Sequence, residues 1–377
     1  MNSFQTCNVG QLTGADSPPT ARDCGYVWTA LQRVEAMRAT PDVTVAEPTP
    51  SELAEASGRN VHRCELRAAN WRHKVYFVEF EDCTVAIAKQ LVMGNDAMLH
   101  HQYEQLRELA ELSIPGMRVP KQLGLFPEKR CLLMEFAPGK SVEALAWTSR
   151  DVLVACDLAG KILARIQLAR TEAISSLPTE LIARDLAAGP WRLSSHEYSL
   201  LDRALDRLVK TNVRIGEVYY DYKPANLLLY NDELSLIDPP DTLWRGAHLW
   251  DFACFRSSMR RHLWRMTLWR PFRIRQRNTV RQALDVFEHA YRCTFSEASQ
   301  EAGFSRLAVR LFELQRNAVL ITMQQAKVTL TREKLPIARG KRLGNPLANR
   351  MTLPLLQFET RWLFRQLARE LRATGSN

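Results

Sequence analysis

Tyr219-Tyr220-Asp221-Tyr222-Lys223-Pro224-Ala225-Asn226-Leu227-Leu228-Leu229, followed by Leu236-Ile237-Asp238-Pro239-Pro240, is the stretch that decides the fold of this 377-residue chain. Asp221, Lys223 and Asn226 stand in a polar loop, Leu227 opens an apolar run, Asn231-Asp232-Glu233 turns the chain back, and Asp238 closes the second run. A surface turn rich in Asp, Asn and Pro needs only its backbone geometry. It does not explain why flanking apolar strands hold two carboxylates, an amide and an ammonium group together. Residues 216–240 therefore read as a strand-loop-strand unit that carries chemistry.

Upstream, Val61 to Ala68, Val75 to Phe80 and Thr84 to Leu91 are short runs rich in Val, Ile, Phe and Tyr, which predict a three-strand antiparallel meander. A helix is expected over Ala97 to Leu112, with Leu99, Tyr103, Leu106 and Ala110 at helical spacing. Two further strands, Val119 to Phe126 and Cys131 to Phe136, end at Ala137-Pro138-Gly139. From there to Asn212 the pattern is helical, chiefly Asp151 to Ala169 and His196 to Val209. The layout is α+β and bilobal. Residues 61–137 form a five-stranded lobe with one helix, and 138–377 form a mainly helical lobe around 216–240, with a basic helical addition over 252–377. Residues 1–60 read as a partly flexible extension with one helix around Val27 to Met37. Linker signals follow it at Thr40-Pro41 and Glu47-Pro48-Thr49-Pro50.

The loop pattern D-x-K-P-x-N, with an Asp at the end of the next strand, resembles the catalytic core of the protein-kinase-like superfamily. Four fixed residues at that spacing would arise at random in a chain this long well under about one time in a hundred. The resemblance implies an ATP- and Mg²⁺-dependent phosphoryl transfer. Asp221 would act as the base that orients the accepting hydroxyl, and Lys223 would stabilise charge on the phosphoryl group. Asn226 and Asp238 would supply hard oxygen ligands to Mg²⁺. Val85-Ala86-Ile87-Ala88-Lys89 has the strand-then-lysine form of these families, so Lys89 would hold the α- and β-phosphates. Its ion-pair partner is expected on the following helix at Glu104, with Glu108 one turn on as the reserve. Met134-Glu135-Phe136-Ala137-Pro138-Gly139 resembles the hinge that reads adenine, implicating the backbone of Glu135 and Ala137. Asp251, in Leu249-Trp250-Asp251-Phe252-Ala253, resembles the buried carboxylate that braces the catalytic loop.

The resemblance spans about Val61 to Phe255 and departs from the pattern in three places. Ala68-Ala69-Asn70-Trp71 has no glycine where a phosphate-covering loop is expected. Tyr219 replaces the usual His, and Pro239-Pro240 replaces Phe-Gly, although Asp-Pro also occurs in relatives of the aminoglycoside phosphotransferases. Only 12 residues separate Asp238 from Asp251, which leaves no room for a peptide-docking segment. The chain is thus most similar to the small-molecule branch: aminoglycoside and sugar phosphotransferases, choline-kinase-like enzymes and lipopolysaccharide core sugar kinases. The acceptor would be a hydroxyl-bearing small molecule or glycan. Helices within Leu181 to Val209 and after Asp251 would build its site. The lost glycines and Tyr219 motivate the competing reading, a catalytically silent scaffold whose basic face binds an anionic membrane or nucleic acid.

With 46% apolar and 24% charged residues, the composition excludes a disordered tail, a fibre or a small disulfide scaffold. The net charge of +10 is uneven: residues 252–377 hold 24 Arg and Lys against 8 Asp and Glu. Eight scattered cysteines without a C-x-x-C pair read as reduced thiols of a cytoplasmic protein, and no signal peptide or membrane span is evident. Residues 256–281 carry nine arginines with Trp264, Trp269 and Phe272 among them and no carboxylate. The segment reads as a solvated helix face, as a peripheral contact with the inner face of an anionic membrane, or as a grip on an acidic acceptor. Nucleic acid is disfavoured, because no RNA-binding motif accompanies it.

Overall fold

Alternation with a period of two builds the amino-terminal lobe. The strands β1 (Val61–Ala69), β2 (His73–Phe80), β3 (Val85–Leu91), β5 (Gln122–Phe126) and β6 (Cys131–Glu135) form one antiparallel sheet, with the two-residue β4 (Met117–Arg118) preceding β5 in the chain. The sheet order is β1-β2-β3-β6-β5. These positions come from a computed structural model, which describes residues 45–69, 73–92, 96–187, 189, 191, 193–240, 244–297, 304–332 and 346–373. The helix expected around Val27 to Met37, and Asn70 and Trp71 of the glycine-less turn, lie outside the described residues.

The sheet's two faces have different covers. Tyr76, Val78, Phe80, Ala86 and Ala88 pack with Leu53 of helix α1 (Pro50–Ser57). Leu91, Leu132 and Met134 pack with Leu99 and Leu106 of α2 (Asp96–Glu111). Successive side chains on a strand point to opposite faces, so Lys89 shares the α2 side with Ile87 and Leu91. The linker reading of Glu47-Pro48-Thr49-Pro50 is corrected here. Thr49 and Glu52 form a reciprocal capping box, Pro50 opens α1 where its missing N–H costs nothing, and Gly58 ends it in the left-handed region. Leu53 is fully buried by this helix, which therefore belongs to the lobe.

Across the hinge, β7 (Lys140–Ser141) pairs with β10 (Leu227–Tyr230), which pairs with β11 (Glu233–Leu236), and β11 pairs in parallel with β4. A second small sheet joins β8 (Thr171–Ser176), β9 (Asn212–Glu217) and β12 (Arg245–Ala247). Strand β8 falls where the sequence reads as helical. It is a mostly exposed edge strand and shows no inside-outside alternation. The helices are α3 (Val142–Thr148), α4 (Asp151–Ala169), α5 (Thr179–Ala187), α6 (Ser195–Leu208), α7 (Leu249–Trp269), α8 (Ile274–Glu297), α9 (Arg306–Arg332) and α10 (Pro346–Ala373). Gly160 lets α4 and α8 approach closely, since a Cβ there would lie 2.5 Å from the Phe287 carbonyl oxygen.

The basic addition is not uniformly a solvated face. Arg256, Arg260 and Arg261 of α7 are turned inward. Arg260 pairs with Glu313 of α9 at 2.8 Å and Glu359 of α10 at 2.7 Å, and Arg261 reaches Glu359 at 3.0 Å. Arg256 pairs with Glu288 of α8 and lies 3.4 Å from Glu313. Both Glu313 and Glu359 are completely buried. Burial alone would raise the Glu313 carboxyl, but Arg260, Arg310 and Arg256 outweigh it and hold it at about 2. Residues 311–319 of α9 are buried all round, so each polar side chain there finds a partner on a different neighbour. Gln315 donates to Asp185 at 2.6 Å and Asn317 accepts from Arg261 at 3.3 Å. Among the described residues no helix is long and apolar enough to cross a membrane, and the six described cysteines are free thiols.

Candidate active site

The loop between β9 and β10 is locked by its aromatic residues. Tyr220 has φ +64, a left-handed conformation that costs a non-glycine residue about 1 kcal/mol or more. The Asp221 N–H donates to the Tyr219 carbonyl at 2.8 Å across it, closing a three-residue turn. The surroundings fix this turn. The Tyr220 ring stacks on Trp244 at 4.1 Å and on Trp250 at 5.3 Å between centroids. Its carbonyl accepts from Trp250 Nε1 at 3.0 Å and Cys254 Sγ at 3.1 Å. Asp251, in the first turn of α7, accepts from the Tyr219 N–H at 2.7 Å, which braces the loop from below. Tyr219 meets Tyr222 edge to face at 5.6 Å, and Tyr222 donates to the Ala159 carbonyl at 2.8 Å. The residue in the usual His position thus holds the loop through ring packing.

This turn aims Asp221 between the lobes. One carboxylate oxygen pairs with Lys223 and the other accepts from Arg316 of α9 at 2.8 Å. Burial would raise the Asp221 carboxyl, but the charges and hydrogen bonds of Lys223 and Arg316 prevail and hold it well below the usual carboxylate range. Its side chain keeps 31% of its surface accessible, so an incoming group can reach it. Asn226 donates its amide nitrogen to the Asp221 carbonyl at 3.2 Å, which leaves the amide oxygen as the atom suited to a cation. Asp238, just past β11, pairs with Lys89 of β3. Burial would raise its carboxyl too, and Lys89 holds it down, while the nearby charge of Asp221 opposes this.

Asn226 and Asp238 offer one neutral and one ionised oxygen donor. Among the described residues no group of three or more His, Cys, Asp or Glu side chains forms a self-sufficient metal cage. That donor set fits Mg²⁺, which keeps waters and phosphate oxygens in its shell and needs only one or two protein ligands.

The expected partner of Lys89 is not brought to it. Glu104 turns away and pairs with Arg107, and Glu108 accepts from Gln105 at 3.0 Å and from Arg170 at 3.4 Å. The buried face of α2 instead presents Gln102, which donates to the Pro239 carbonyl at 3.2 Å and so ties α2 to the residue after Asp238. At the hinge, the Glu135 N–H bonds the Lys121 carbonyl at 2.8 Å and its carboxylate pairs with Arg118. Ala137 is buried in the crossing between lobes. Gly139 makes that crossing possible: its φ is +117 and a Cβ would lie 2.4 Å from the Leu229 carbonyl oxygen.

Arg316 is the residue that sequence reasoning missed. Besides Asp221 it reaches the Tyr220 carbonyl at 3.4 Å and lies over the Trp250 ring, 5.8 Å from its centroid. The available signal was Glu313, Arg316 and Asn317, polar residues at i, i+3 and i+4 which, with Gln315, interrupt the apolar Leu311 to Ile321.

A sequence model of the phosphotransferase enzyme family (APH) matches residues 63–289. No match is found among curated proteins. Among solved structures, the chain is similar to a glucosamine kinase in complex with glucosamine, ADP and inorganic phosphate. The TM-score is 0.54 and the identity 17%, over 87% of this chain and 88% of that one. It is also similar to the macrolide 2'-phosphotransferase MphH of Brachybacterium faecium, with a TM-score of 0.50 and 14% identity, over 81% of this chain and 95% of that one. At these identities the structural likeness speaks for the fold. Arg316 lies beyond the family-matched segment.

Proposed function

Because the chain belongs to the phosphotransferase enzyme family, whose kinase-like members act on small molecules, we propose that it moves the γ-phosphoryl group of ATP to a hydroxyl of a sugar, an aminoglycoside-like molecule or a lipopolysaccharide-core glycan. The observation that supports this most is convergence. Lys89 from β3 pairs with Asp238 just past β11, Lys223 and Asn226 hold Asp221 in one loop, and the Ile237 N–H joins the two sets by donating to the Asn226 carbonyl at 3.2 Å. In this reading Lys89 exchanges Asp238 for the nucleotide's phosphates, and the hinge backbone at Glu135 and Ala137 receives the base. Asn226 and Asp238 would hold Mg²⁺, which when bound would supply positive charge to offset that of the phosphates.

Asp221 accepts the hydrogen bond of the acceptor hydroxyl and aims its oxygen in line. A carboxylate held this acidic is a weak base. Orientation is therefore its main contribution, and the proton passes to it late, as suits a loose phosphoryl-transfer transition state. Lys223, paired with the same carboxylate, places positive charge beside the transferring group.

The test combines binding and turnover. Mg-ATP should raise the Tm of the wild type. Asp238→Ala should abolish that shift, whereas Asp221→Asn should keep it and lose transfer. A phosphate-transfer screen over sugars, aminoglycosides, choline-like alcohols and lipopolysaccharide core fragments, run beside Asp221→Asn, identifies the acceptor. If Mg-ATP neither shifts the Tm nor protects against proteolysis, the proposal falls and the silent-scaffold reading replaces it.

A further inference from the structure

The nine arginines of 256–281 are divided by the fold. Arg256, Arg260 and Arg261 are neutralised inside the helical lobe, and Arg265 at the rim lies 3.6 Å from Glu143. The rest surround a corner where α7 ends at Trp269 and α8 begins at Ile274. Every residue from Leu268 to Arg275 is exposed. Leu268, Trp269, Phe272 and Ile274 leave 64%, 52%, 94% and 58% of their surface uncovered. Single exposed apolar residues need no explanation, but four within seven positions form a patch of the kind that marks a contact surface. Arg273, Arg275, Arg277 and Arg281 flank it. None of these four forms an ion pair among the described residues, and no carboxylate occurs between Asp251 and Asp285.

We propose that this corner docks the protein on an anionic bilayer surface, with Trp269 and Phe272 entering the headgroup region and the arginines on lipid phosphates. Charge complementarity and shape select this occupant. The patch sits on a turn between two helices from which Phe272 projects with 94% of its surface uncovered, and a fluid interface conforms to such a projection. Trp at the headgroup level, apolar neighbours below it and arginines beside them is the arrangement an interfacial segment uses. Nucleic acid would engage the arginines and could stack on Trp269 and Phe272, but the aliphatic Leu268 and Ile274 have no ring on which a base could stack. The inference does not depend on the phosphotransferase reading, since none of these residues belongs to the candidate site.

The experiment uses the full chain and sedimentation with vesicles of phosphatidylcholine alone or mixed with phosphatidylglycerol, at low and high salt. Binding is expected to the anionic vesicles only and to weaken with salt. Each arginine near the surface contributes roughly a fivefold factor, so Arg273→Glu/Arg275→Glu/Arg277→Glu should weaken partition by about a hundredfold or more. Phe272→Asp should also lower it, while Tm stays at the wild-type value, because Phe272, Arg273 and Arg275 are exposed, Arg277 is partly exposed, and all four lie outside the site. Equal binding to neutral and anionic vesicles overturns the proposal, as does absence of binding by folded protein. Tighter, salt-sensitive binding to an RNA oligonucleotide than to vesicles, or binding that survives both variants, overturns it as well.

Discussion

Replacing Arg316 by Met tests whether the helical addition takes part in the site or only packs behind it. The substitution keeps most of the buried volume and removes a guanidinium that donates to Asp221 at 2.8 Å and to the Tyr220 carbonyl at 3.4 Å. A hydrogen bond to a charged group contributes about 1.5–3 kcal/mol, and removing one partner of a fully buried pair costs about 3–5 kcal/mol. Asp221 retains Lys223 and some solvent access, so the lower range applies and a stability loss of about 2–3 kcal/mol is expected. The double-mutant cycle with Asp221→Asn should show a coupling of about 1.5 kcal/mol in denaturant unfolding. For turnover, freeing one oxygen of Asp221 lets the carboxylate swing. A loss of about 1.4 kcal/mol of transition-state stabilisation would lower kcat about tenfold, with KM for ATP unchanged because the hydrogen bonds of Arg316 go to Tyr220 and Asp221 and not to Lys89, Asp238 or the hinge. Arg316→Lys should fall between, since a point charge cannot fork to two acceptors. If Arg316→Met unfolds like the wild type and couples to Asp221→Asn by less than about 0.5 kcal/mol, the pair has no energetic role and the reasoning fails.

Glu104→Ala should leave stability within about 0.5 kcal/mol and the Mg-ATP shift intact, because Glu104 pairs only on the helix surface. Lys89→Met should weaken the shift at least tenfold in ATP concentration, and the reverse ranking in a thermal-shift titration would restore the Lys89–Glu104 expectation. Gly139→Ala must place a Cβ 2.4 Å from the Leu229 carbonyl oxygen at φ +117. It should cost about 2 kcal/mol or more in chemical denaturation, and a neutral result would mean that the hinge backbone runs elsewhere. Buried Asp251 and His248 predict opposing pH dependences. Burial pushes the Asp251 carboxyl up to about 7, so the folded protein binds the extra proton between about pH 4 and 7 and stability is lost as pH rises. Burial, with Arg214 and Arg170 nearby, holds His248 down at about 3, so the unfolded chain binds the extra proton between about pH 3 and 6.5 and stability is lost as pH falls. The two offset each other in the wild type. Asp251→Asn should therefore become less stable on acidification from pH 6.5, and His248→Gln more stable, each by up to about 1.4 kcal/mol per pH unit. Parallel curves for the two variants would contradict the assignment.

The loop from Asp221 to Asn226, the five strands and the helix over 96–111 were legible in the sequence because their signals are local. A two-residue period, a helical period and a motif spacing are all set by residues that lie close along the chain. Asp251 was legible for the same reason, through its position at a helix start. The sequence by itself therefore determined the bilobal kinase-like layout and brought Lys89, Asp221, Lys223, Asn226 and Asp238 into view, but not Arg316, and it wrongly added Glu104. Only the tertiary structure decided their pairing. Lys89 takes Asp238, 149 residues away, in preference to Glu104 on the adjoining helix, because α2 is rotated to bury Gln102 and to leave Glu104 outside. Asp221 receives Arg316, 95 residues on, and the arginines of α7 part into a buried network and an exposed corner, because α9 and α10 close over one side of that helix. A charge placed on a helix has a local address in the sequence. Whether it meets a carboxylate, an active-site loop or solvent depends on how that helix is rotated and what packs against it, which is a property of contacts that no local pattern carries.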